Sequence, residues 1–237
     1  MDSLIELKKR SLRVLKGRHK GKRAFVICNG PHLNDIDPSS LDDELTIGMN
    51  RIYLKPEMHI DYLCAYAVRV IRQFWEEIAR VDCRAIFAPI LAKQPKFLPV
   101  WMDPKIEKKF NFDGLENRIC TGYGVTWLAL HVAWWLGTDP TYIIGMDHAY
   151  DVSGMHKVSE TVLVTTGDDI NHFHPDYFGE NVDWAYNENM LEQFAEGFKM
   201  AHEAFRSTGR TLINASTYTG LPEDCIPRGS FYDAISK

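Results

Sequence analysis

Arg23-Ala24-Phe25-Val26-Ile27-Cys28-Asn29-Gly30-Pro31 is the stretch that decides the fold. Its apolar run has no polar alternation, so a strand built from it has both faces buried. That is the pattern of a parallel sheet covered on either side. Asn29-Gly30-Pro31 punctuates the run: Gly30 lets a ligand approach the backbone closely, Pro31 fixes the outgoing direction, and Asn29 offers donors and acceptors. Working outward, short apolar runs recur at 44–50, 62–66, 84–88, 141–147 and 211–215. Helical spacing of apolar residues falls at 3–17, 67–80, 124–136 and 188–207, with Gly137 as a C-cap and Gly209 closing the last helix. Leu33 to Leu41 carries Asp and Ser residues suited to a helical turn, and Pro89 to Pro104 reads as irregular. Strands alternating with helices predict an α/β chain, a three-layer sandwich on a mainly parallel sheet. The expected organisation is a basic helix over 1–21 and a single α/β domain over 22–237. Asp151 to Val182 shows no clear periodicity, and a loop that long in a compact domain is read as a lid-like insertion, at about 151–183.

Bulk properties narrow the function classes. With 45% hydrophobic and 25% charged residues, the 237-residue chain has a globular composition and length enough to bury a core without staples. A net charge of -5 does not recommend nucleic acid as a partner. The first 23 residues are locally basic, which suits a solvated helix face or a peripheral contact with a membrane surface or acidic partner. Five scattered cysteines without a C-x-x-C pair read as reduced thiols, and no apolar stretch follows Met1, so a cytoplasmic protein is expected. The longest apolar run, Val125 to Leu136, is interrupted by Thr126 and His131 and is too short to span a bilayer.

In an open parallel sheet, ligands bind beyond the carboxyl ends of the strands. Four strand ends here are polar: Asn29-Gly30-Pro31, Asn50-Arg51, Gly145-Met146-Asp147 and Asn214-Ala215-Ser216. None has the spacing of a dinucleotide fingerprint or a Walker loop, which weighs against hydride transfer and P-loop chemistry. Thr121-Gly122-Tyr123-Gly124 precedes the apolar helix; it reads either as a phosphate cradle or as an ordinary N-cap by Thr121. Asn171-His172-Phe173-His174-Pro175-Asp176-Tyr177-Phe178-Gly179 supplies two histidines in alternation. They suit a general base in a closing loop, plain packing, or a metal pair whose third ligand the sequence does not place, with Asp147, His148 and Asp151 upstream as candidates.

Phe25 to Asp37 resembles the opening strand and loop of the bacterial lipooligosaccharide sialyltransferases, and Ile47-Gly48-Met49-Asn50-Arg51 resembles their second strand. Arg118-Ile119-Cys120-Thr121-Gly122, the helix to Leu136-Gly137, and Tyr142 to Asp147 match their central region in order. The Asn171–Gly179 and Ile213–Ser216 segments look closer to the broader MptE-like (6-hydroxymethylpterin diphosphokinase-like) superfamily. The resemblance implies a Rossmann-like nucleotide-binding domain. It implies that Asn29, Gly30, Pro31, Asn50, Arg51, Thr121, Gly122 and Asp147 form the nucleotide and donor site. His172 or His174 would be the base, and Tyr150 a phosphate-facing tyrosine. His32, Arg51 and Thr121 depart from the family's serine, glutamine and serine; Arg51 is suited to a carboxylate or phosphate.

The expected activity is glycosyl transfer from a nucleotide donor, possibly CMP-linked, to a hydroxyl on a glycan or small acceptor, with no cofactor required. A second reading is a pterin-type diphosphokinase using ATP and Mg²⁺ held by Asp147, Asp151, Asp168 and Asp169. A third is a nucleotide- or glycan-binding protein without turnover. A homo-oligomer is expected.

Overall fold

The computed structural model describes residues 2–89, 95–153, 155–178 and 183–236. Seven strands form one sheet: β1 (Ala24–Ile27), β2 (Leu45–Met49), β3 (Tyr62–Cys64), β4 (Ala85–Ala88), β5 (Phe97–Pro99), β8 (Thr141–Ile144) and β12 (Leu212–Asn214). Two short strands, β6 (Met102–Asp103) and β7 (Ile119–Cys120), pair separately. The main sheet has the order β12-β8-β1-β2-β3-β4-β5, and every pair is parallel. β1 lies between β2 and β8, so the strand order reverses there, where crevices open in doubly wound sheets.

β1 is fully buried, as its uninterrupted apolar sequence requires. Ala24, Val26 and Cys28 face one side of the sheet, with α3 (Gly124–Leu136), α4 (Met190–Ser207) and Leu12 of α1 (Asp2–Leu15). Phe25 and Ile27 face the other, with residues of α2 (Val68–Arg80), α5 (Phe231–Ile235) and the 3-10 turns at 31–35 and 38–41. The chain is thus an α/β three-layer sandwich, Rossmann-like in its sheet. Trp127 and Trp135 of α3 are essentially inaccessible. That agrees with the helix being apolar on all sides, the pattern of a helix buried between layers. It ends at Gly137, whose φ of 85° is the left-handed C-cap that its sequence predicts.

Two irregular regions are more ordered than their sequences suggest. The segment from Pro89 to Pro104, whose residues 90–94 lie outside the described ones, contains β5 on the sheet edge and β6. The lid-like insertion, which runs on to Ala185, two residues past its expected end, holds β9 (Met155–Ser159), β10 (Val162–Thr165) and β11 (Asp183–Ala185), an antiparallel three-stranded sheet in the order β11-β10-β9. β9 is mostly exposed on both faces, so its sequence carries no alternation to read. Leu163 and Trp184 anchor this small sheet to the α2 side of the core.

α1 packs on the body: Leu12 is buried, and the Trp135 indole N–H donates to its carbonyl at 2.8 Å. Its basic residues are partly engaged within the chain. Arg13 pairs with Glu116 at 2.6 Å, Lys16 with Asp113 at 3.1 Å, and Lys8 is buried with its ammonium on the Pro95 carbonyl. Among the described residues no helix is long and apolar enough to cross a membrane.

Candidate functional site

A cavity of about 450 Å³ opens at the carboxyl end of the sheet where the strand order reverses. Three walls meet there. The ends of β1, β2 and β8 contribute Asn29, Gly30, Asn50, Asp147 and His148. The starts of α3 and α4 contribute Gly122, Tyr123, Gly124, Met190 and Phe194, and the insertion contributes Asn171, His172, Tyr177, Phe178 and Trp184. Tyr150 also lines the space.

His172 is fixed by its neighbours in the chain. Its Nδ1 lies 2.8 Å from Asp169 Oδ2, and its ring stacks flat on Tyr177, with centroids 4.0 Å apart and planes 6° from parallel. Asp169 is inaccessible, and burial pushes its carboxyl up. The hydrogen bond and charge of His172, with the N–H groups of Asn171 and Phe178, outweigh that and hold it below the usual range. An ionised Asp169 orients the ring with Nδ1–H toward itself, which leaves Nε2 as the basic nitrogen. The segment is tied to the sheet edge: Phe173 N–H donates to the Asn29 carbonyl at 3.0 Å, and Asn34 Nδ2 to the Phe173 carbonyl at 2.8 Å.

The floor is polar and incompletely bonded. Asn29 Nδ2 donates to the Met49 carbonyl at 3.1 Å, which fixes the amide, and its Oδ1 is buried without a partner among the described residues. Asp147 Oδ2 meets His32 Nδ1 at 2.5 Å, while its Oδ1 is likewise buried and unpartnered. Burial raises the Asp147 carboxyl above its ordinary value despite His32. Gly30 is required by this closeness, because a Cβ there would sit 2.2 Å from Asp147 Oδ1 and 2.8 Å from the Gly145 carbonyl. Asn50 Oδ1 accepts from Tyr66 N–H at 3.2 Å. Burial raises the Tyr150 and Tyr177 hydroxyls, so both stay protonated.

The cavity therefore brings together Asn29, Gly30, Asn50, Gly122, Asp147, Tyr150 and His172, and leaves four expected residues outside its lining. Arg51 is committed elsewhere. Its guanidinium donates to the carbonyls of Asp176 and Tyr177, pairs with Glu77 at 3.2 Å and stacks 3.5 Å over Phe74. The carboxylate that Arg51 was expected to meet is thus one of the chain's own, and the residue clamps the insertion to α2. His174 accepts from Asp176 N–H at 3.1 Å inside its own turn. Thr121 lies ahead of α3, whose N-cap is Tyr123 with no side-chain cap, so the ordinary N-cap by Thr121 is not formed. Pro31 starts the 3-10 turn behind the loop. Gly179 lies outside the described residues.

Of the four carboxylates expected to hold Mg²⁺, Asp147 and Asp169 are each bonded to a histidine. Asp151 accepts from Ser153 N–H at 2.9 Å, and Asp168 is exposed. No group of three potential metal ligands occurs among the described residues. Sequence reasoning misjudged two residues of this cavity and its rim. Asp169 was considered only as a metal ligand, although the Asp169-x-x-His172 spacing is a legible signal for an orienting carboxylate. His148 was considered only with Asp147 and Asp151 as an upstream metal ligand, and nothing in its sequence neighbourhood signals its place in the cavity wall. Comparison with protein-family models, with curated proteins and with solved structures finds no match to this chain.

Proposed function

We propose that the protein is an inverting glycosyltransferase that moves a sugar from a nucleotide donor to a hydroxyl acceptor. The observation that carries the reading is the Asp169–His172 pair, set in a cavity at the reversal point of the sheet. His172 Nε2 takes the acceptor hydroxyl proton as the oxygen attacks the anomeric carbon. The bond from that carbon to the nucleotide phosphate breaks, and the phosphate leaves with the electron pair. Asp169 stabilises the imidazolium that forms, by the logic of the hydrolase triads. The nucleotide part of the reading is supported by the resemblance at Asn29-Gly30, Asn50 and Tyr142–Asp147, and by the uncapped start of α3 beside the cavity.

The test has two arms. A thermal-shift panel of CMP, UDP, GDP, ADP and ATP identifies the base, since a bound nucleotide raises the melting temperature with occupancy. With the corresponding nucleotide sugar, His172→Ala is expected to lower transfer about 10²–10⁴-fold while nucleotide binding survives. His174→Ala retains activity. Full activity of His172→Ala ends the reading.

A further inference from the structure

The wall opposite the base holds a second imidazole that the reading above leaves without a role. His148 follows Asp147 at the end of β8 and lines the cavity. Its φ of 51° puts a ring-bearing residue in the left-handed region, where a side chain is retained at a cost in strain that clusters at functional sites. The conformation is imposed by a tight reversal: Gly220 N–H donates to the Asp147 carbonyl at 2.7 Å, and a Cβ on Gly220 would lie 3.0 Å from the His148 carbonyl. The ring rests edge-on against Phe198 of α4, with centroids 5.9 Å apart. Neither ring nitrogen is bonded to any described residue. Burial holds the imidazole neutral down to about pH 4, so near neutrality it presents one N–H and no charge.

The setting of His148 differs from that of His172. His172 belongs to the insertion and packs with Tyr177, on the α2 side of the core, whereas Phe198 belongs to the α3–α4 side. On that second side α3 begins without a side-chain cap, after Gly122 and at Gly124, both with positive φ. Its first-turn N–H groups and its dipole therefore favour an anion at this wall. The unpartnered acceptors Asn29 Oδ1 and Asp147 Oδ1 on the floor independently call for a hydrogen-bond donor in the same space, such as a nucleotide's ribose hydroxyl or base amino group.

We propose that His148 donates its imidazole N–H to a phosphoryl oxygen of the bound nucleotide, across the cavity from the base. A neutral imidazole in that role polarises an oxygen without offering a competing charge. The proposal rests on the nucleotide reading, and it makes His148 a further ligand-contacting residue of that site.

Isothermal titration of nucleosides against their monophosphates tests it, because the ratio of the two affinities isolates what the phosphate adds. Cytidine, uridine, guanosine and adenosine are compared with CMP, UMP, GMP and AMP on the wild type and on His148→Gly, His148→Asn and Arg69→Gln. Glycine relieves the left-handed strain, so His148→Gly is expected to melt no lower than the wild type while the phosphate ratio falls about tenfold or more. Asparagine tolerates the same φ and keeps an N–H donor, so His148→Asn retains most of the ratio. Arg69, the only arginine or lysine lining the cavity among the described residues, is the competing anion partner. An unchanged ratio in His148→Gly overturns the proposal, as does a ratio lost only in Arg69→Gln. If the wild type binds neither nucleosides nor nucleotides, the nucleotide reading fails on its own. Inorganic pyrophosphate is then the probe: affinity that falls in His148→Gly supports the anion wall, and unaffected or absent binding overturns it.

Discussion

The two edges of the central sheet treat their polar groups in opposite ways. At the amino edge every strong group named here has a partner. Asp61 takes Thr46 N–H at 3.1 Å and Arg84 Nε at 2.6 Å; the Thr46 hydroxyl donates to the His59 carbonyl and accepts from Asp61 N–H, both at 2.9 Å. Thr138 and Thr141 share a hydrogen bond of 2.7 Å, and Arg23 clasps Glu44. At the carboxyl edge, Asn29 Oδ1 and Asp147 Oδ1 are buried and open. Burying an unbonded polar atom costs free energy of the order of 1–3 kcal/mol. Asn214 Nδ2 at the end of β12 is also buried without a partner among the described residues, but only Asn29 Oδ1 and Asp147 Oδ1 combine that state with a place at the cavity where the strand order reverses. The proposed site lies at the edge that carries these two open acceptors.

The contrast can be broken from either side. The largest effect is expected at the amino edge, where Asp61→Ala orphans the buried Thr46 N–H and frees Arg84; a loss of about 3 kcal/mol in urea unfolding is expected. Gly30→Ala comes next, since the new Cβ must push Asp147 and the Gly145 carbonyl aside. About 2 kcal/mol of stability should go, together with measurable nucleotide binding. Retained binding would show that the carboxyl edge has slack.

Acid sharpens the picture further. His131 and His148 are both lowered by burial from 6.5 to about 4. Between those values the unfolded chain binds protons that the native chain does not, so stability is fully present above about pH 6.5 and declines toward pH 4. The slope is up to about 1.4 kcal/mol per pH unit for buried His131 and less for half-buried His148. His131→Gln should flatten this limb in a pH series of unfolding curves; an unchanged limb would assign the effect elsewhere. The smallest change is expected for Asp147→Asn, under about 1 kcal/mol. Burial already disfavours its ionised form, so a neutral amide there gives up little. A loss as large as that of Asp61→Ala would erase the distinction between the edges.

The sheet was legible because β1, β2 and β8 are mostly apolar and buried throughout, and because turn residues end each strand. β5 and the small β9–β11 sheet were not. β5 follows a proline-rich stretch, and β9 packs so few side chains that neither period can be seen in it. In the site, residues of the strand ends were readable because parallel strands deliver their ends to one edge. Arg51 was misleading for a physical reason: its sequence neighbours place it at the strand end, but a guanidinium so buried is satisfied by the nearest carbonyls, here of Asp176 and Tyr177. The choice between His172 and His174 needed coordinates, since only one of the two rings reaches both a buried carboxylate and the cavity.

The contacts that orient His172 come mostly from Asp169, Tyr177 and Phe178, within ten positions of the chain, with the edge of Trp184 added from just beyond. The geometry of the proposed base is therefore carried largely by a short cassette, moored at or just past the strand ends at Asn29, Asn34, Asn50 and Arg51. Such a division separates two engineering tasks. On the proposed function, the strand ends tune the donor and residues 169–178 carry the base, and a block exchanged there has to keep Phe173 N–H on the Asn29 carbonyl, the Asp176 and Tyr177 carbonyls on Arg51 and the Tyr177 side chain on Asn50.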